Sequence, residues 1–504
     1  KFFGMKLLVL LSALTAVSAQ WEPNFAPGRT GIVHLFEWHW DTIADECESF
    51  LAPNKYAGVQ VSPPNENRIV DGRPWWERYQ PISYVINTRS GDRGAFANMV
   101  ERCNNVGVRI YVDAVINHMC GAGGAGTGTG GSYYDANTED FPAVPFSSMD
   151  FNDANCYTDS GSIENYQDPN QVRNCKLVGL LDLNQSKDYV RGKIIDFMND
   201  MTSLGVAGFR VDACKHMWPG DIEVIFQSLN DLSTSKGFPG GTRPYIFQEV
   251  IDQGGEPITA SQYYGAGDIT EFKYGVNLGN NKNSIQYLEN FGEEWGMMPS
   301  GNALVFLNNH DNQRGHGGGG NIITFEDPFS KYLKIFTAFM MAWPYGTERI
   351  MSSYYFSQPV LITFPTSSNT DQGPPANQRS LNADGSCGNG WVCEHRWRQI
   401  KNMMAFGVAS YGQPMANWWD NGNNQIAFSR GNKAFLAINK AGYTMNENLN
   451  TGMPAGDYCN VNSGDYENNQ CTGQCVSVGS NGYANIYIEA TEDPVVAIHV
   501  DAPC

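Results

Sequence analysis

Positive charge is what this 504-residue chain has least of: Lys and Arg total 33 against 52 Asp and Glu, a formal charge of -19. That balance excludes nucleic acid and anionic membrane as expected partners and suits a neutral ligand or a cation. Beyond the N-terminal leader no segment reaches the roughly 18 apolar residues of a membrane span, so no membrane association is expected. The twelve cysteines contain no CxxC pair of zinc-site pattern.

What is present begins with that leader. Met5 to Ala19, MKLLVLLSALTAVSA, has one lysine, an apolar run and a Val-Ser-Ala ending, which reads as a secretory signal peptide cleaved before Gln20. Residues 1–4 look like an upstream extension of the reading frame. Loss of Lys1 and Lys6 takes the formal charge from -19 to -21. The expected product is secreted and extracellular, with a digestive lumen as a fitting compartment, and disulfides are then the default for its cysteines. Connectivity does not follow from spacing. Cys387–Cys393, Cys459–Cys471 and Cys156–Cys175 would each close a short loop, whereas Cys47–Cys103 requires two elements to meet.

The length calls for two or three domains, and a barrel with an appended module fits it. Short β-branched or aromatic runs recur at Gly31–Phe36, Gly58–Val61, Val108–Val115, Gly208–Val211, Tyr245–Phe247, Ala303–Leu307 and Arg349–Met351. Helix-like stretches separate them, a pattern of parallel α/β architecture. Polar residues close the runs: Asn117-His118 after one, Asp212 after another, then Glu249, then Asn309-His310-Asp311. One strand-end acid is usually a helix cap; several on separate strands predict the functional rim of a (β/α)8 barrel. The rhythm breaks between Met119 and Leu183, where glycine-rich and Asn/Asp/Tyr-rich stretches predict an inserted irregular domain. After Gln413, alternating segments such as Gln425–Ser429, Ala434–Asn439 and Val495–Val500 predict an antiparallel β-sandwich. The expected division is residues 1–19 as leader, 20–117 and 184–413 as barrel, 118–183 as insertion and 414–504 as sandwich.

Arg210 and Asp212 stand two apart on one short strand, so both point to the same face, and two charges buried there are costly unless they form a site. Two carboxyl groups flanking a bond are what glycoside hydrolysis requires; Asp212, Glu249 and Asp311 offer three. Trp75-Trp76-Glu-Arg-Tyr79 is a dense aromatic surface suited to sugar rings, or to core packing.

The ordered motifs Asp113-Ala-Val-Ile-Asn117-His118, Gly208-Phe-Arg-Val-Asp212-Ala-Cys-Lys-His216, Phe247-Gln-Glu249-Val and Phe306-Leu-Asn-Asn309-His310-Asp311 resemble those of the α-amylase family of glycoside hydrolases, in its chloride-dependent animal branch. Ile32-Val-His-Leu-Phe-Glu-Trp38, Val61-Ser-Pro-Pro-Asn-Glu-Asn67 and Cys393-Glu-His-Arg-Trp397 match as well, and the likeness runs from about Gln20 to the C-terminus.

The resemblance implies Asp212 as nucleophile, Glu249 as general acid/base and Asp311 as stabiliser of the oxocarbenium-like transition state, with Asp212 ionised and Glu249 protonated at working pH. Trp75, Trp76, Tyr79, His118, Lys215, His310 and His316 would meet glucose rings, the last from a glycine-rich loop, Gly315–Gly320, that resembles the family's mobile loop. One structural calcium would take Asn117, Asp182 and the carbonyls of Arg173 and His216, because calcium prefers oxygen. One activating chloride would sit at Arg210, Asn309 and Arg349. Many relatives carry a disulfide where this chain has Asn87 and glycines near Gly130. Cys120 and Cys214 would both lie near the calcium and are expected to bridge, leaving Cys475–Cys504 by elimination. The only sequon, Asn184-Gln-Ser186, lies beside Asp182 and is not expected to be used.

The activity implied is retaining endo-hydrolysis of α-1,4-glucosidic bonds in starch, glycogen and maltooligosaccharides by a calcium-stabilised, chloride-activated monomer. Rivals are a transglycosylase or branching enzyme of the same family, which shares the acids, and a non-catalytic sugar-binding relative.

Overall fold

A computed structural model describes residues 20–326, 330–356, 372–491 and 493–504. The expected signal peptide, residues 5–19, lies outside the described residues.

Eight strands close a parallel barrel: β1 (Thr30–Leu35), β2 (Tyr56–Val61), β3 (Arg109–Ala114), β4 (Gly208–Val211), β5 (Tyr245–Gln248), β6 (Asp268–Thr270), β7 (Ala303–Val305) and β8 (Thr347–Ser352). Each pairs with its chain neighbour, and β8 returns to β1 through Ile32↔Arg349 and His34↔Met351. Every residue of β1 to β7 is buried, as expected of strands covered on both faces. Seven of the strands coincide with the β-branched runs of the sequence. The sixth does not: Asp-Ile-Thr is three residues long with one apolar member, and what holds it in place is pairing with β5 and β7, which a local pattern does not record.

Gly208 shows how close the strands come. A Cβ there would lie 2.2 Å from the Tyr245 carbonyl oxygen, so only glycine lets β4 open against β5 at that level. Ile32, Tyr111, Tyr245, Phe247, Leu304 and Phe306 form a separate apolar cluster, a packed core rather than a pore. Fully burying one such side chain contributes about 1.5–3 kcal/mol, which helps offset the charges above it.

Between β3 and β4 the chain builds a small irregular unit. His118–Gly121 pairs antiparallel with Leu180–Asp182, Ala125–Thr127 with Tyr133–Asp135, and Cys156–Cys175 is bridged. Asn87 and Gly130, where relatives were expected to carry a disulfide, do adjoin: a Cβ on Gly130 would lie 3.3 Å from that of Asn87. Here buried Glu66 clamps the loop, accepting the backbone N–H groups of Gly130 at 2.7 Å and Ser132 at 2.9 Å and the Ser83 hydroxyl at 2.6 Å.

The C-terminal unit is all β. Met415–Asp420, Gln425–Arg430, Ala434–Asn439 and Val495–His499 make one antiparallel sheet; Met445–Asn450 with Tyr483–Ile488, and Gly456–Cys459 with Cys475–Val478, make smaller ones. All four disulfides named from spacing are present, and Cys475–Cys504 joins them. The Cys120–Cys214 bridge is not: both thiols are free and buried. Burial dominates both environments, but Cys120 faces Arg68, in the insertion, whereas Cys214 faces Glu249 and Asp212 in the barrel mouth. Burial pushes the Cys120 thiol up to about 12 and that of Cys214 well above its ordinary value, so neither is a ready nucleophile.

Candidate active site

The rim at the C-terminal ends of the strands gathers the polar residues. Arg210 on β4 is level with Asp113 on β3 and Phe247 on β5, and its guanidinium is almost wholly buried. Its Nη1 donates to Asp113 Oδ1 at 2.6 Å and Asp212 Oδ1 at 2.8 Å, and its Nη2 to Glu249 Oε1 at 2.5 Å. Burial disfavours the charge on Arg210, but Asp113, Glu249 and Asp212 outweigh that and lift its pKa well above the ordinary value.

The turn after β4 completes the grip on Glu249. Ala213 takes a left-handed conformation, φ 51°, which costs a side-chain-bearing residue on the order of 1 kcal/mol. In return its N–H donates to Glu249 Oε2 at 2.9 Å. Glu249 N in turn donates to the Val211 carbonyl at 2.9 Å, tying β5 to β4.

Burial pushes the Asp212 carboxyl well up, with Arg210 pulling the other way and Glu249 and Asp113 adding to the rise. The ionised state expected of Asp212 is therefore opposed by its surroundings, because one guanidinium serves three acids. Asp311 is pushed up to about 7, first by burial and then by Glu249. His310 Nε2 lies 3.3 Å from Asp311 Oδ2, and burial holds that imidazole well below its usual value, hence neutral.

Aromatic groups wall the cluster. The Tyr79 hydroxyl donates to Asp113 Oδ2 at 2.8 Å, and its ring stacks on His310 at 5.3 Å. Trp75 meets His310 and His316 edge-on, at 5.5 and 5.7 Å. His118 Nε2 lies 3.0 Å from the Tyr79 carbonyl, and burial lowers its pKa to about 4. Trp76 is half-buried against the core. Lys215 turns to the loop after β5, donating to the Ile251 carbonyl at 2.9 Å and pairing with Glu256 at 2.5 Å, rather than joining the carboxylates. His316 is exposed on the Gly315–Gly320 loop.

Asp113 and Gln60 are the residues that sequence reasoning left without a role. Each interrupts a buried apolar strand, in Val112-Asp113-Ala114 and Val59-Gln60-Val61, and that interruption was the available signal. Gln60 Oε1 accepts Arg349 Nη1 at 2.8 Å, while its Nε2 is buried without a partner among the described residues. Arg349 lies over Phe306 at 4.5 Å, and burial, then Arg210, lowers its pKa to about 9. Arg210 is occupied by carboxylates, so of these two buried arginines it is Arg349 that lacks an anionic partner among the described residues. The unsatisfied Gln60 donor beside it suits an anion. Asn309 is tied to Asn312 by reciprocal backbone-to-amide bonds of 2.8 Å.

A second polar junction ties insertion to barrel. Asn117 Oδ1 is a buried acceptor without a donor among the described residues, and the Asp182 carboxyl, facing amide donors such as Asn152 Nδ2 at 2.8 Å, is pushed well up by burial. A cation would satisfy both oxygens. The Arg173 guanidinium bonds the Tyr263 hydroxyl at 3.1 and 3.0 Å, which leaves its carbonyl as the available ligand. His216 Nδ1 contacts the Val172 carbonyl at 3.0 Å, holding the β4 turn against the helix Pro169–Asn174. Asn184 is buried, with Oδ1 accepting the Ser186 N–H at 3.1 Å.

Residues 61–239 match the model for the alpha amylase catalytic domain, and residues 416–501 that for the alpha amylase C-terminal all-beta domain. The chain is 55% identical to an alpha-amylase of Oryzias latipes and to pancreatic alpha-amylase 2a5 of Mus musculus, each over 99% of this chain and 100% of the relative. A solved structure of wild-type alpha-amylase I from Eisenia fetida is 48% identical with a TM-score of 0.88, covering 94% of this chain and 98% of that one; a mutant of the same enzyme, solved in complex with maltohexaose, matches as well. The chain belongs to the α-amylase family and is a glycoside hydrolase.

Proposed function

We propose that the protein is a secreted α-amylase that cuts internal α-1,4-glucosidic bonds of starch and glycogen with retention of configuration. The observation that carries this reading is the convergence of three strand-end acids, Asp212, Glu249 and Asp311, around one buried arginine at the barrel mouth. Two carboxyl groups on one guanidinium lie near enough to flank a single glycosidic bond, as this chemistry requires.

Asp212 attacks the anomeric carbon, and Glu249 gives its proton to the departing glycosidic oxygen, then takes one from the incoming water. Burial, with Glu249 and Asp113 beside it, opposes the charge on Asp212, and Arg210 favours it, so the guanidinium is what supports the carboxylate that attacks. Asp311 stabilises the positive charge that develops on the ring. Trp75, Trp76, Tyr79, His118, His310 and His316 line the sugar path, with the two buried histidines neutral and able to serve as hydrogen-bond partners of hydroxyls.

Asn117, Asp182 and the carbonyls of Arg173 and His216 would hold a calcium ion, which would fix the insertion to the β4 turn that follows the nucleophile. Arg349, with Asn309, Arg210 and the amide of Gln60, would hold chloride, which would favour the protonated form of Glu249 by its charge. Starch, glycogen and maltooligosaccharides are the partners, and the chain acts as a monomer.

The test is release of reducing ends from soluble starch, with and without chloride and a calcium chelator. A hydrolase raises reducing ends steadily; a transferase leaves them nearly flat, and that result would reject the reading. Chelation is expected to lower thermal stability, and removal of chloride to lower activity in wild type but not in Arg349→Gln.

A further inference from the structure

His34, in the Ile32–Trp38 motif, takes no part in the chemistry above. It stands on β1 between Met351 of β8 and Gln60 of β2. Ile32, two residues back on the same face, belongs to the apolar cluster inside the barrel, so the His34 ring lies above that cluster on the side of the mouth. It is 1% exposed, and neither ring nitrogen has a partner among the described residues. Burial, then Arg349, Arg210 and Arg314, hold its pKa well below the usual value, so it is a neutral imidazole with one N–H to give and one lone pair to fill. Leaving both unused in the interior is costly.

Its polar neighbour at the mouth is His310, and the two rings meet edge-on with centroids 5.4 Å apart. Tyr79 stacks on His310 at 5.3 Å and Phe36 leans on it at 5.1 Å, so packing fixes the plane of that ring. Packing does not choose the tautomer. His310 Nε2 faces Asp311 Oδ2 at 3.3 Å, whereas Nδ1 is buried without a partner among the described residues. With its proton on Nε2, His310 donates to an ionised Asp311 and Nδ1 needs a donor. With the proton on Nδ1, Nε2 is a bare acceptor and Asp311 must carry a proton of its own. The tautomer of His310 and the charge of Asp311 are one choice, and only the first leaves Asp311 able to stabilise a positive sugar ring.

We propose that His34 is a positioning residue for Asp311: through one enclosed water it supplies the donor at His310 Nδ1, which keeps the His310 proton on Nε2 and favours the Asp311 carboxylate. Gln60, level with His34 and with its Nε2 also unpartnered among the described residues, gives that water a third polar neighbour. The charges that face His310 and Asp311 are Arg210 on β4, Arg349 on β8, Arg314 in the turn after Asp311, Asp113 on β3 and Glu249 after β5. His34 is neutral among them, so replacing it leaves every charge in place and removes a hydrogen bond. The role of Asp311 is taken from the proposed function.

Wild type, His34→Phe and His34→Gln are compared for kcat/KM on maltoheptaose from about pH 5 to about pH 9, with a thermal melt of each. Asp311, at about 7, contributes to the acid limb of that profile. In His34→Phe the limb is expected to move up by roughly half a unit to one unit, which lowers activity on the acid side about three- to tenfold and leaves the plateau. His34→Gln keeps a donor and should bring the limb most of the way back. An unmoved limb in His34→Phe would overturn the proposal, and so would equal shifts in both variants, because those report packing and not a donor. Should His34→Phe not fold, wild type decides by itself. In NMR spectra of the full chain with isotope-labelled histidine, His310, assigned by its loss in His310→Gln, is expected as the Nε2–H tautomer on the alkaline side of the limb; the Nδ1–H tautomer there would overturn the proposal. The spectrum needs no turnover, so a chain that shows the Nε2–H tautomer yet leaves maltoheptaose intact counts against the hydrolase reading and not against His34.

Discussion

Two of the buried charge clusters in the barrel domain are built in opposite proportions. At the mouth one cation, Arg210, serves Asp113, Asp212 and Glu249. At the C-terminal end of the helix Trp40–Glu46, one acid, Glu46, is served by Arg396 at 2.6 Å, His395 at 2.9 Å and Arg379 at 2.5 Å. Burial alone would raise the Glu46 carboxyl, yet the hydrogen bonds from His395 and Arg396 outweigh it and bring it to about 2. In the Arg210 cluster Asp113 and Asp212 rise, and neighbouring Asp311 reaches about 7. Burial is common to both; the ratio of donors to acids decides. An acid with surplus donors is locked in one state and holds structure, whereas an acid with too few donors, such as Asp311, can change protonation state near neutral pH.

The comparison can be broken at either end. Asp212→Asn is expected to lower the rate of starch hydrolysis at least about 10³-fold while leaving the melting temperature near that of wild type, because its partner Arg210 keeps two other acids. Glu46→Gln should do the reverse. It strands two arginines in the interior and is expected to cost about 3–5 kcal/mol in urea unfolding, with kcat of the folded fraction little changed.

The pH dependence has opposite signs. Glu46 has a folded value below its unfolded value near 4.5, so its contribution of about 3 kcal/mol is present above that pH and is lost as pH falls through about 2. Wild type and Glu46→Gln should therefore converge in stability under acid. Asp311 has a folded value raised to about 7, so ionising it costs stability progressively from about pH 4 to above 7. Asp311→Asn, the smallest of these effects, should stabilise by on the order of 1–3 kcal/mol above pH 7 and by nothing near pH 4, as read from paired thermal melts.

Most of the fold, and the strand-end acids that converge at the barrel mouth, were legible in the sequence, and legibility failed where the cause is non-local. Strand-end acids after apolar runs identified Asp212, Glu249 and Asp311, because a polar residue that closes a buried run is costly unless it caps a helix or serves a site. Asp113 and Gln60 escaped because each is one polar residue inside an apolar run, and their meaning lies in a distant partner, Arg210 for Asp113 and Arg349 for Gln60. The sixth strand escaped for the same reason: Asp268–Thr270 has no apolar pattern of its own. Cys475–Cys504 followed from elimination, whereas pairing Cys120 with Cys214 assumed that nearness to one ion means facing one another, and their side chains meet different neighbours. The Lys215 ammonium is likewise drawn to Glu256, a partner 41 residues on that no local motif reveals.

The central claim is that Asp212, in the acid-rich cluster, forms the bond to sugar. Incubation with a fluorinated glycosyl fluoride that accumulates the covalent intermediate, followed by proteolysis and mass mapping, tests it directly. The account predicts one glycosyl group per chain, on the peptide that carries Asp212 and absent from Asp212→Asn. A label on the peptide carrying Glu249 or Asp311, or turnover with no covalent adduct and inverted product, would contradict it.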